Sequence, residues 1–141
     1  MTGILKISEA TTLALHAMAI AAEKPQAILP AEKIAKSLGA SEFHLSKVLM
    51  QLTHAGFLKA FRGPNGGYCL ARPANKIRLI EIYELIEGRF IEENCLLGRS
   101  FCPRDDCILG GLVEKINSEV KDYLESTRLS DITEASRRGK K

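Results

Sequence analysis

The feature that most constrains this chain is a helical apolar stripe that passes straight into a strand-like alternation. Between residues 41 and 56, Leu45, Val48, Leu49 and Leu52 recur at steps of three and four, with Ser41 placed to cap the start and Gly56 to stop the end. With no loop between, Phe57-Leu58-Lys59-Ala60-Phe61 alternates, Arg62-Gly63-Pro64-Asn65-Gly66-Gly67 forms a turn cluster, and Tyr68-Cys69-Leu70-Ala71 alternates back. A helix must therefore end on an antiparallel hairpin.

The preceding segment adds a partner helix. Pro30 opens it, in a first turn where a missing N–H costs nothing; Ile34, Ala35 and Leu38 face inward, and Gly39 stands as its C′ residue. Two helices joined through Gly39-Ala40 have the form of a helix-turn-helix, in which the second helix reads the major groove. A hairpin directly after such a helix is a wing. Its tip carries no bulky side chain, so its backbone can approach a narrow groove while Arg62 supplies charge; a plain surface hairpin is the alternative. An earlier helix is expected from about 8 to 23, capped by Ser8, with Leu13, Ala14, Ala17, Met18 and Ala21 on one stripe and Pro25 beyond its end.

Charge agrees with a nucleic-acid-facing head. The net charge of +3 is too small to decide the matter, but its distribution is informative. Residues 41–72 carry Lys47, Lys59, Arg62 and Arg72 against Glu42 alone, whereas residues 81–106 are mainly acidic. The candidate DNA contacts are Ser41, Glu42, His44, Ser46, Lys47 and Gln51 on the polar side of the recognition helix, with Lys59, Arg62, Gly63, Gly66 and Gly67 on the wing. Lys47 and Lys59 are expected on phosphate, and Arg62 with the wing tip over the minor groove or backbone.

The fold class expected is mainly α with a small β-hairpin wing: a winged helix-turn-helix plus a long dimerisation helix. A further helix over 78–87, ended by Gly88, completes a head spanning 1–88. Residues 89–107 form a loop with little periodicity. The dimerisation helix is expected over 108–128, where Leu109, Leu112, Val113, Ile116, Val120, Tyr123 and Leu124 make a seam too long for the small head to cover; packing against the first helix is the alternative. Residues 129–141, ending in Arg137, Arg138, Lys140 and Lys141, are expected as a flexible tail, either solvated or touching phosphate.

The loop holds the chemistry. Of four cysteines, Cys95, Cys102 and Cys107 fall within thirteen residues as C-x6-C-x4-C. The N-terminus lacks the basic-then-apolar pattern of an export signal and no apolar run approaches a bilayer span, so a cytoplasmic protein with reduced thiols is expected, without membrane association. Soft thiolates select zinc, copper(I) or iron–sulfur clusters. Structural zinc favours closer pairs such as C-x2-C, which do not occur here, and the wide gaps suit a larger object. Arg99 and Arg104 favour thiolate over thiol. A set of reduced, unliganded cysteines or a thiol redox switch is the alternative. No histidine follows Cys107 closely, so Glu9 in the first turn of helix one, His16 two turns later and a non-protein ligand remain open as the fourth ligand. Cys69 reads as a small packed hydrophobe.

Together, the wing motif Arg62-Gly63-Pro64-Asn65-Gly66-Gly67-Tyr68, the helix ending Ile86-Glu87-Gly88 and the cysteine triad before a long helix resemble the Rrf-two (Rrf2) family of winged-helix transcription regulators, of the iron–sulfur cluster-binding IscR/NsrR type. The resemblance runs from about residue 4 to 132. It implies a homodimer on an inverted-repeat operator in double-stranded DNA, with one [2Fe–2S] or [4Fe–4S] cluster per subunit. Cys95, Cys102 and Cys107 match its cluster-ligand positions, and Glu9 matches a carboxylate that in some members comes from the partner subunit. The expected function is a DNA-binding regulator, a repressor or dual regulator, controlled by a cluster that senses redox state, nitric oxide or iron–sulfur status. A cluster-free thiol sensor is the second reading. With no phosphate loop, substrate-pocket signature or nucleophile–base pairing, an enzyme acting on a small-molecule substrate is not expected.

Overall fold

The computed structural model describes residues 7–92, 95–96 and 108–139, and these fold as six helices and one hairpin. Helix α1 (Glu9–Glu23) starts where Ser8 accepts the Thr11 backbone N–H at 3.2 Å. Its expected stripe is its buried face, joined by Thr11 and Ala22. Alanine at four buried positions allows α3, α4 and α6 to approach it closely, so α1 is the central post of the head.

Helices α2 (Ala31–Leu38) and α3 (Glu42–His54) form the helix-turn-helix. Pro30 occupies the N-cap position, one residue before the expected first turn. Gly39 closes α2 in the left-handed region, its N–H reaching the Ala35 and Lys36 carbonyls. Helix α3 buries Leu45, Val48, Leu49 and Leu52, as the stripe requires. Ser41 sits at its N-cap, but its side chain makes no cap hydrogen bond.

The hairpin follows at once: β1 (Leu58–Phe61) pairs antiparallel with β2 (Gly67–Leu70), with Leu58 opposite Leu70 and Phe61 opposite Gly67. Leu29, just ahead of α2, joins as a third strand position, exchanging two 2.8 Å backbone hydrogen bonds with Tyr68. Cys69 is only half-buried, because it lies opposite the exposed Lys59 on a two-stranded ribbon with little behind it.

Helix α4 (Leu79–Glu87) follows a short 3-10 turn and packs its Leu79, Ile80 and Ile82 into the core. The last two helices depart from expectation. Helix α5 (Leu112–Ser126) begins later than residue 108, since Gly110 and Gly111 both adopt positive φ and hold residues 108–111 in turns. The flexible tail is corrected through residue 139: Leu129–Gly139 is helix α6. Leu129 is fully buried and α6 rests on α1 and on the 3-10 turn. The α5–α6 junction is stitched to the head by Leu79 N–H to Thr127 O at 3.0 Å, Leu129 N–H to Ile77 O at 2.9 Å, and Arg128 Nη1 to Asn75 O at 2.8 Å. Among the described residues, no helix is long and apolar enough to cross a membrane.

Candidate nucleic-acid interface and cysteine site

The head presents α3 and the wing on one side. Glu42, His44, Lys47 and Gln51 are exposed on α3, with Ser41 at its cap and Ser46 half-buried. On the wing, Lys59, Arg62 and Gly63 are exposed, and Gly66 and Gly67 are half-buried. A groove of about 580 Å³ separates α3 from the wing, lined among others by Glu42, Met50, His54, Phe61 and Arg62.

The wing glycines have an intramolecular reason. A Cβ on Gly67 would stand 2.3 Å from the Leu29 carbonyl oxygen, inside the pair that anchors the wing to α2. One on Gly66 would stand 2.2 Å from the Phe61 carbonyl oxygen, inside the turn itself. The sequence reading assigned these glycines to approach of DNA; chain packing already requires them. Arg72, counted with the basic segment, is turned inward: its guanidinium lies 4.2 Å over the Phe57 ring and 3.6 Å from Glu81.

Sequence reasoning missed the crest of α3. Phe43, Lys47, Met50 and His54 share the stripe opposite the buried one, and Phe43 is 68% and Met50 56% exposed. The signal was present in the helical wheel, but attention to polar residues passed over apolar ones that face outward.

The second region lies where the cysteine loop leaves the head. Phe90 folds back, its N–H donating to Glu84 Oε2 at 3.2 Å and its ring 5.5 Å from Tyr83. Glu92 meets Lys121 of α5 at 3.5 Å. These contacts set half-buried Cys95 in an apolar cleft of about 980 Å³ between α4 and α5, which Ile7 also lines. Burial in this cleft, with the charges of Glu87 and Glu84, raises the Tyr83 phenol above its ordinary pKa. Cys102 and Cys107 lie outside the described residues. Among the described residues, no three His, Cys, Asp or Glu side chains converge on one point.

Glu9 begins α1, exposed and without a hydrogen bond or ion pair among the described residues. His16 is exposed too, and its Nδ1 lies 2.7 Å from the Thr12 carbonyl oxygen. Beside Glu9, the start of α1 is clamped to the end of α4. Thr11 Oγ1 donates to Glu87 Oε1 at 2.5 Å, and Ser8 Oγ donates to the same oxygen. These hydrogen bonds, Ser8 first, hold the Glu87 carboxyl below the usual carboxylate range.

Comparison with known proteins bears on both regions. The family model described as Rrf2, iron-dependent transcriptional regulator, matches residues 7–135. The HTH-type transcriptional regulator IscR of Cereibacter sphaeroides is 33% identical over 123 residues, covering 85% of this chain and 79% of that protein. CymR, the global cysteine regulator of B. subtilis, has a similar structure: TM-score 0.76 at 27% identity, over 94% of this chain and 98% of that one. IscR of T. potens matches with a TM-score of 0.75 at 25% identity, over 98% and 93% of the two chains.

Proposed function

The chain belongs to the Rrf2 family of DNA-binding transcription regulators, and we propose that its operator affinity is controlled by an iron–sulfur cluster held on Cys95, Cys102 and Cys107. The observation that carries this reading is the position of Cys95, in the cleft between the head and α5. The donor chemistry fits: three thiols within thirteen residues, and at Glu9 an exposed carboxylate with no competing partner among the described residues. When bound, such a cluster supplies a group reactive to redox change or nitric oxide, whose gain or loss alters charge and bonding at the loop.

The rest follows from the chain's own residues. Among the described residues, helix α5 buries Leu124 alone and leaves Leu112 and Tyr123 exposed and Val113, Ile116 and Val120 half-buried. A second copy covering this seam makes the homodimer, and Glu9 can then serve either its own loop or the partner's. The C-terminal end of α5 is stitched to the head, and Cys95 shares a cleft with the apolar side of that helix, so a change at Cys95 acts on α5 against the head. In the dimer this shifts the spacing of two recognition helices against half-sites of an inverted repeat about 34 Å apart. Such a protein acts on cytoplasmic DNA, and repression is its simplest output.

Anaerobic purification with iron and sulfide quantification tests the reading, followed by duplex binding of cluster-loaded and cluster-free protein at one salt concentration. Coloured, iron-containing protein with unequal affinities supports it; equal affinities sink the switch. The likeness to CymR, the global cysteine regulator of B. subtilis, favours one second reading, a thiol sensor. Colourless protein whose binding responds to oxidant would select that instead.

A further inference from the structure

We propose that Phe43 is a specificity-determining residue that reads the 5-methyl group of thymine in the major groove. This rests on the DNA-binding reading of α3 and deepens it. Phe43 lies in the first turn of α3, the end of a recognition helix that meets base edges. The residue is 68% exposed. A lone exposed apolar residue is ordinary. Here it stands on the outermost line of the helix with Lys47, Met50 and His54, facing away from the core.

The ring is also held in place. Lys47 Nζ sits 4.4 Å over its centroid, and the His44 ring meets it edge-on at 6.0 Å and 79°. These contacts order the side chain before binding and leave the outer part of the ring free. An aromatic ring offers base edges no hydrogen bond, and the apolar group in the major groove is the thymine methyl. Lys47, one turn on, then lies near the neighbouring base edge or phosphate.

The test selects bound duplexes from a random library with the purified full chain, then replaces each thymine of the selected half-site with deoxyuridine. The wild type is expected to lose about fourfold in affinity for the methyl that Phe43 contacts, the worth of one buried methyl-sized group. Phe43→Ala should bind the thymine and deoxyuridine duplexes equally, and Phe43→Leu should keep part of the difference. Because the ring is exposed, both variants should unfold at the wild-type denaturant midpoint. A wild type indifferent to every thymine replacement overturns the proposal, as does Phe43→Ala that keeps the fourfold difference. Uniform weakening on all duplexes, thymine or not, makes Phe43 a support for Lys47 on phosphate and also overturns it. If no sequence is selected at all, the DNA-reading assignment of α3 falls, and the proposal with it.

Discussion

Replacing Gly67 by alanine separates a glycine kept for this chain's own packing from one kept for DNA. The new Cβ would lie 2.3 Å from the Leu29 carbonyl oxygen and 2.8 Å from the Pro30 nitrogen, both backbone atoms that cannot swing aside. Relief requires the Leu29–Tyr68 pair to open, losing two 2.8 Å hydrogen bonds worth about 1 kcal/mol each. The positive φ of 157° adds about 1 kcal/mol for a residue with a Cβ. The total is about 3 kcal/mol, a large part of the roughly 5–15 kcal/mol that holds a domain folded. Gly39→Ala is the control: its φ is 61° with nothing within 4 Å of the new Cβ, so only about 1 kcal/mol of backbone cost is expected. Urea unfolding at fixed protein concentration measures both, and hydrogen exchange should show the Leu29 and Tyr68 amides losing protection in Gly67→Ala alone. A Gly67→Ala cost no larger than that of Gly39→Ala would refute the wing-anchor reasoning.

Other outcomes follow from the same structure. Leu129→Ala should cost about 2–5 kcal/mol because the side chain is fully buried, whereas Arg137→Ala in the exposed last turn of α6 should change stability by less than about 0.5 kcal/mol; equal effects in urea unfolding would return α6 to the status of a tail. The Glu87 carboxyl is held low by Ser8 and Thr11, so its contribution is complete above the ordinary value of 4.5 and fades as pH falls through the lowered one. Wild type and Glu87→Gln should therefore differ most at neutral pH and converge below pH 4.5, and parallel stability curves would contradict the clamp. Lys47→Ala and Arg62→Ala should each flatten the dependence of log affinity on log salt by about 0.9 per phosphate released. An unchanged slope removes that residue from the phosphate contacts.

The sequence determined this protein's local elements because each carried its own short-range cause. The α3 stripe, the Ser8 cap, the Gly39 stop and the alternation on either side of the 62–67 turn act within a few residues, and each element formed within a residue or two of its expected place. The three thiols stand within thirteen residues of sequence, and two of them, Cys102 and Cys107, lie outside the described residues. Tertiary structure decided whatever depended on groups distant in sequence. Residues 129–139 read as a tail because their few apolar positions look too sparse to bury; the Leu129 N–H donating to the Ile77 carbonyl, and the Leu79 N–H donating to the Thr127 carbonyl, fix their start by backbone pairing across some fifty residues. Arg72 counts toward the basic segment until Phe57 and Glu81 are placed beside it. Gly67 reads as an open wing tip until Leu29 arrives against it. Burial and backbone pairing are properties of approach between segments, and a linear pattern records only which residues could take part.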